Sequence, residues 1–243
     1  DFTQDVGTLS VKKTAQDNHD TNVSGTFEFS VKNSKGQFLQ ADKTSFDTTE
    51  VFFTVEAGSH TDFENLPVGK YTVTEKTSSI SVEGYTFTST GSTTSDEATV
   101  TKGETSDAQL VNKFIQDLGT LTVAKVAKDN NDKDVEGSFL FSVKNSAGKF
   151  LQSDEETFTD TEYFFTVAAG SSKTFTDLPV GTYTISEKTD ALSVPGYTYT
   201  STGSTVTGNG VVSKTSTAES TVTLTNRYIQ DVGSLTVKKT ATD

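Results

Sequence analysis

The chain has 243 residues, a formal net charge of −13 and no Cys, Met or Trp. Its acidic balance argues against nucleic acid or an anionic membrane surface as a partner, since both bind basic surfaces; the absence of Cys excludes disulfides, thiol nucleophiles and thiolate metal sites. Hydrophobic residues make up only 32%, yet 17 Phe and 7 Tyr recur at alternating spacing, which points to modest β-sandwich cores rather than disorder.

The elements read as strands throughout, with no sustained helical period and no stretch long enough for a membrane span. In Leu9 to Lys13 the alternation puts Leu9, Val11 and Lys13 on one face. An Asp17-Asn18-His19-Asp20 loop follows, then TFEFSVKN with Phe27, Phe29 and Val31 in phase, bounded by Gly and Asn-Ser turn chemistry. After VFFTV comes DFENLPVGKYTVTE, where Pro67-Val68-Gly69 turns the chain into a strand that aligns Tyr71, Val73 and Glu75. GYTFTST and a Ser/Thr-rich stretch from Ser89 to Thr101 lead to LVNKF, which puts Leu110, Asn112 and Phe114 together. Because strand parity has period two, Lys13, Glu75 and Asn112 share the apolar, inward side of their strands.

The pattern then repeats. Lys13, Glu75, Gly84 and Gly91 recur as Lys125, Glu187, Gly196 and Gly203 at a constant offset of 112, and Asn112 recurs as Asn226 at an offset of 114. The slip of two predicts an insertion in the loop around Thr205 to Ser213. A third start, IQDVGSLTVKKT from Ile229, brings a third lysine, Lys239; Phe2 likewise aligns with Phe114 and Tyr228. The predicted organisation is a linker at 1–6, domain 1 at 7–115, a short linker at 116–118, domain 2 at 119–228, and a linker with the first strand of a truncated third repeat at 229–243. The fold class is all-β: two tandem Greek-key, immunoglobulin-like antiparallel sandwiches arranged as a rod, since so short a linker implies that neighbours touch.

A lysine and a carboxylate on the inward side of a sandwich are costly unless they meet. Burial disfavours the ammonium form, and a lysine amine is a nucleophile only when neutral. A carboxyl group held as its neutral acid can hydrogen-bond an amide oxygen, stabilise the oxyanion that develops there and pass a proton to departing ammonia. The competing reading is a buried Lys–Glu ion pair with Asn as a hydrogen-bonded spectator. Lys12 is the obvious rival to Lys13, but it aligns with Ala124, so only Lys13 repeats on the inward parity.

The first-strand V-x-K, the LPxGxYxxxE box and the last-strand N-x-[FY] together resemble the CnaB-type domain, the collagen-adhesin B-region module of Gram-positive surface proteins and pili, and the resemblance covers both copies end to end. It implies an intramolecular isopeptide bond from Lys13 to Asn112 with Glu75 as catalyst, and from Lys125 to Asn226 with Glu187 as catalyst. It implies a structural stalk or spacer in a cell-wall-anchored adhesin outside the cell, non-enzymatic apart from one self-directed turnover per domain. The alternative is a ligand-binding adhesin module that contacts a host protein or glycan through loops or sheet edges. The expected partners are adjacent repeats of the same chain, with any host surface ligand held elsewhere in the full-length protein; a monomer is expected, with no nucleic acid and no membrane contact.

No cofactor and no metal ligands are assigned. The Asp/Asn-rich loops at 17–20 and 129–132, with Asp134 and Glu136, are oxygen-rich enough for calcium but lack EF-hand spacing, and Asp, Asn and Gly are ordinary turn chemistry. His19 and His60 are unrepeated and read as loop residues. Leu66-Pro67-Val68-Gly69 is superficially like a sorting sequence, yet it recurs inside each copy and reads as a turn. The Ser/Thr-rich stretches, Ser89 to Thr101 and Ser201 to Thr221, read as exposed strand faces and loops open to glycosylation or ligand contact.

Overall fold

A computed structural model of the chain describes residues 3–214 and 220–241. Contacts divide it into two compact units, Asp1–Gln116 and Asp117–Asp243. In unit 1 the strands are β1 Val6–Gln16, β2 Thr26–Asn33, β3 Phe38–Leu39, β4 Phe46–Asp47, β5 Phe53–Glu56, β6 His60–Pro67, β7 Gly69–Glu75, β8 Tyr85–Thr93, β9 Ser95–Val100 and β10 Thr105–Gln116. Unit 2 repeats them as β11 Leu118–Lys128, β12 Ser138–Asn145, β13 Phe150–Leu151, β14 Phe158–Thr159, β15 Phe165–Ala168, β16 Ser172–Pro179, β17 Gly181–Glu187, β18 Tyr197–Thr205, β19 Thr207–Val212 and β20 Ser220–Gln230.

Each unit is a two-sheet sandwich. In unit 1 one sheet runs β6-β1-β10-β8 and the other β4-β3-β2-β7-β9, with β5 on β2; unit 2 has the same order. The inward residues Leu9, Val11, Phe29, Val31, Phe63, Val73 and Leu110 are fully buried between the sheets, and Phe63 meets Phe29 edge-on at 6.0 Å. This is the period-two pattern converted into a core: alternate residues of both inner faces interdigitate while the others face out.

The chain moves from one sheet to the other at Leu66-Pro67-Val68-Gly69, because β6 pairs with β1 whereas β7 pairs with β2 and β9. Proline ends the ladder of β6, having no N–H to continue it. The corner is held by Tyr71, whose hydroxyl donates to the Pro67 carbonyl at 2.8 Å; Tyr183 does the same to Pro179 at 2.7 Å. This crossing puts the glutamate strand opposite the lysine strand.

The first and last strands of each unit lie side by side and run parallel, with Lys13 opposite Leu110 and Ala15 opposite Asn112 in β1–β10, and Lys125 opposite Leu224 in β11–β20. An antiparallel sandwich was expected, and among the described residues these two pairs are its parallel exceptions. Alternation fixes which side chains point inward, and it is identical for either pairing direction.

Gly7 lies at an irregularity of β1, where the backbone of residues 101–104 packs on it; a Cβ there would come within 2.1 Å of the Thr101 carbonyl oxygen. Gly119 meets the Ser213 carbonyl in the same way at 2.4 Å. Gly7→Ala is therefore expected to destabilise unit 1 alone by about 1–3 kcal/mol, the usual cost of overpacking, visible as a lowered thermal transition for that unit. An unchanged transition would show that the loop yields freely.

The two-residue insertion lies further along than the sequence suggested. β18 and β19 keep the offset of 112 relative to β8 and β9, and Ser220 takes the place of Ser106 opposite the first strand. The extra residues thus follow Val212, in a connection whose residues 215–219 are outside those described. An insertion within β19 would shift its register against β17, whereas a connection absorbs two residues without disturbing the pairing. Phe2 is also outside the described residues. Residues 231–241 form no strand, and Val232, Leu235 and Val237 are 92%, 89% and 83% exposed.

Candidate functional site

β1 and β10 present Lys13 and Asn112 from one sheet, and β7 presents Glu75 from the facing sheet, where it pairs with Phe29. The three meet in the core. Lys13 Nζ lies 2.9 Å from Glu75 Oε1 and 3.0 Å from Oε2, and Asn112 Nδ2 donates to Glu75 Oε1 at 2.8 Å. Unit 2 repeats the arrangement: Lys125 Nζ lies 3.0 Å from Glu187 Oε1 and 3.3 Å from Oε2, and Asn226 Nδ2 donates to Oε1 at 2.9 Å. The side chains of both ion pairs are wholly inaccessible to solvent, and both asparagines are 0% exposed.

Burial pushes the Lys13 ammonium below the usual lysine range, more strongly than hydrogen bonding and charge from Glu75 push it back. Lys125 is lowered for the same reason against Glu187. Each ammonium also sits 4.6 Å above a phenyl ring, Phe27 in unit 1 and Phe139 in unit 2. That ring offers a weak attraction to the charged form and closes the side of the amine that would otherwise need water. The sequence marks Phe27 and Phe139 only as core positions, since nothing in alternation says which ring lies under which lysine.

One detail differs from the sequence reading. The carboxylate accepts the N–H of the asparagine amide, and the carbonyl oxygens Asn112 Oδ1 and Asn226 Oδ1 are buried with no hydrogen-bond partner. An ionised carboxylate has no proton to donate, so with the proton on lysine the amide turns its NH₂ to the acid. A buried, unpaired carbonyl oxygen is costly, and it lies on the one amide that is held against a buried amine and a carboxylate.

The rival residues are elsewhere. Lys12 points outward and pairs with Asp107. The Asp/Asn loops act as buckles: Asp17 Oδ1 accepts the N–H of His19 and Thr21 at 2.8 and 2.9 Å, Asn18 Oδ1 accepts that of Gln116 at 3.2 Å, and Lys113 bonds Asp20 at 2.9 Å. Asp129, Asn130 and Arg227 with Asp132 repeat this in unit 2. Their oxygens thus tie the end of the first strand to the end of the last, and among the described residues no group of three or more His, Cys, Asp or Glu is arranged to hold a metal ion. His19 is an exposed loop residue, and exposed His60 lies 3.7 Å from Asp62. The first Ser/Thr-rich stretch forms the end of β8 and all of β9; the second forms the corresponding parts of β18 and β19, up to Lys214, and resumes at Ser220.

A family model described as a domain of unknown function (DUF5979) matches residues 9–115 and again 121–229. No curated protein matches the chain in sequence. Among solved structures, the Bacillus anthracis TIE protein is similar at 19% identity and a TM-score of 0.45, over 93% of this chain and 34% of that one. A major pilin from Streptococcus pyogenes is similar at 18% identity and a TM-score of 0.35, over 94% of this chain and 99% of that one. A minor pilin from Streptococcus agalactiae is similar at 14% identity and a TM-score of 0.38, over 96% of this chain and 100% of that one. The chain thus spans about a third of the length of the TIE protein structure.

Proposed function

The chain belongs, in both of its halves, to the family of DUF5979 domains, and from that premise we propose that it is a load-bearing stalk segment of a Gram-positive cell-surface protein whose two domains each close a Lys–Asn isopeptide bond. The observation that carries this reading is the position of one buried carboxylate, 2.9–3.0 Å from an amine and 2.8–2.9 Å from an amide nitrogen, in both units. The motif resemblance to CnaB-type domains supports the surface location and the structural role.

The step balances within the three residues. A proton passes from Lys13 Nζ to Glu75; the amide rotates so that its unpaired Oδ1 accepts from the new acid. The Nζ lone pair attacks Cγ, forming the Nζ–Cγ bond and placing charge on Oδ1. Glu75 gives its proton to the amide nitrogen and takes the second proton from Nζ, the Cγ–Nδ2 bond breaks as the charge on Oδ1 returns, and ammonia leaves. Of the three lysine protons one stays on the new amide, one leaves with ammonia and one remains on Glu75, which ends as the neutral acid, and the domain has turned over once on itself. Holding amine, amide and acid in contact replaces a bimolecular encounter, which is how an unreactive amide is made to exchange.

The mechanical consequence follows from topology. Because β1 and β10 are parallel neighbours, the N-terminus of one and the C-terminus of the other lie at opposite ends of the pair, and tension on the chain loads them in shear. A Lys13–Asn112 bond carries that load past residues 14–111. The adjoining repeats are the partners this role requires; ligand recognition belongs elsewhere in the full-length protein, and the chain acts as a monomer.

Intact-protein mass is expected to fall about 34 Da below the sequence mass, two ammonia equivalents, because each bond changes covalent composition. Peptide mapping should join Lys13 to Asn112 and Lys125 to Asn226 and leave Lys239 free. A mass equal to that of the unmodified sequence would overturn the covalent reading and leave two buried ion pairs.

A further inference from the structure

Beside each reacting asparagine the neighbouring strand is interrupted. In unit 1 β8 pairs Thr93 with Val111 and Thr88 with Lys113, so that residues 89–92 bulge out opposite the single residue Asn112; in unit 2 residues 201–204 bulge out opposite Asn226 in the same way. Gly91 and Gly203, both at φ 77°, turn the bulge back toward the ladder. A bulge of this kind leaves the ladder locally unpaired, and a hydroxyl fills the gap. Ser92 Oγ accepts the backbone N–H of Lys113 at 2.8 Å and donates to the Thr88 carbonyl at 2.6 Å. Ser204 Oγ accepts the N–H of Arg227 at 2.8 Å and donates to the Thr200 carbonyl at 2.7 Å. In both units the backbone nitrogen that follows the asparagine is thus held by a serine of the bulge.

That nitrogen is the lysine's competitor. The backbone nitrogen after an asparagine can attack that residue's own Cγ: the N–Cγ bond forms, the Cγ–Nδ2 bond breaks, the N–H proton leaves with Nδ2 as ammonia, and a cyclic imide remains, which water opens to aspartate or isoaspartate. An acid that opens Cγ to Lys13 Nζ also opens it to the Lys113 nitrogen, which is tethered beside it. Attack requires the Asn112–Lys113 peptide to turn out of its extended setting until the nitrogen faces Cγ, and that turn breaks the bond to Ser92. We propose that Ser92 and Ser204 are positioning residues that reserve each asparagine for its lysine, by holding the adjacent backbone nitrogen away from the reacting Cγ. The inference rests on the isopeptide reading. Both routes expel one ammonia, so only the cross-link tells them apart.

The test follows the two fates of Asn112 by peptide mapping. In the wild-type chain the Asn112 peptide is expected joined to that of Lys13. Lys13→Met removes the amine and leaves Asn112 only the backbone route; the imide and its hydrolysis products at position 112, which end about 1 Da above the asparagine peptide, are then timed by mass spectrometry. Adding Ser92→Ala is expected to raise their rate about fivefold, the weight of one ordinary hydrogen bond, whereas Ser92→Thr keeps a hydroxyl and leaves the rate low. Gly7→Ala is the control for lost stability alone, since Gly7 packs on residues 100–104 and not on the bulge, and it is expected to leave the rate unchanged. The same series at Lys125 and Ser204 gives the answer in unit 2 should the unit 1 variants fail to fold. Equal rates with serine and alanine, or a rise with Gly7→Ala as large as with Ser92→Ala, overturn the inference. Absence of the Lys13–Asn112 cross-link from the wild-type chain overturns the isopeptide reading itself.

Discussion

Pulled by its two ends, the wild-type chain is expected to extend only through its linkers and terminal strands, with neither domain releasing its length. Lys13 to Asn112 encloses 112 − 13 = 99 residues and Lys125 to Asn226 encloses 226 − 125 = 101; a bond at each site removes both from the extensible contour. Lys13→Ala is expected to free the first of these, a gain of about 330 Å at full extension, while domain 2 remains locked. The variant also unfolds at lower force, because Glu75 and Asn112 stay buried without the amine and breaking a buried pair costs about 3–5 kcal/mol. Single-molecule force spectroscopy reads both effects. Release of both full lengths from the wild-type chain at moderate force would refute a load-bearing stalk even if the bonds were present by mass.

Replacing Glu75 by Ala is expected to abolish the Lys13–Asn112 bond and leave the Lys125–Asn226 bond intact, so that one ammonia loss of about 17 Da disappears. Two costs then fall on domain 1. Lys13 is left in the core without its carboxylate, about 3–5 kcal/mol, and the unfolded chain loses a cross-link worth about 4.7 kcal/mol for a loop near a hundred residues. The first cost alone is expected to bring a separate thermal transition at least about 12 °C earlier than that of domain 2. Glu75→Gln separates chemistry from packing, since it keeps a hydrogen-bonding side chain but has no acid to shuttle protons: no bond forms, and the destabilisation is smaller. If Glu75→Ala loses both ammonia equivalents at an undiminished rate, Glu75 is not the catalyst.

The inward parity of Lys13, Glu75 and Asn112, the duplication at Lys125, Glu187 and Asn226, and the all-β class were legible in the sequence, because strand parity is a local property of the backbone. Every second side chain of an extended segment faces the same way wherever the strand is later placed. The duplication added weight, since a charge on the apolar side in two copies calls for a partner twice. The chemistry of amine, acid and amide then follows from residue type alone.

Only the tertiary structure decided which strands carry these groups toward one another and how they touch. That β1 and β10 are parallel neighbours, and that Glu75 approaches from the opposite sheet after the chain crosses at Pro67, depends on contacts nearly a hundred residues apart, and alternation is the same for either partner and either direction. The orientation of the asparagine amides, with Oδ1 unpaired, is set by a carboxylate that can only accept. The phenyl ring under each lysine and the hydroxyl of Tyr228 on Leu192 come from close packing between sheets, where each side chain takes the place its neighbours leave. Periodicity chooses a face; long-range packing chooses what that face meets.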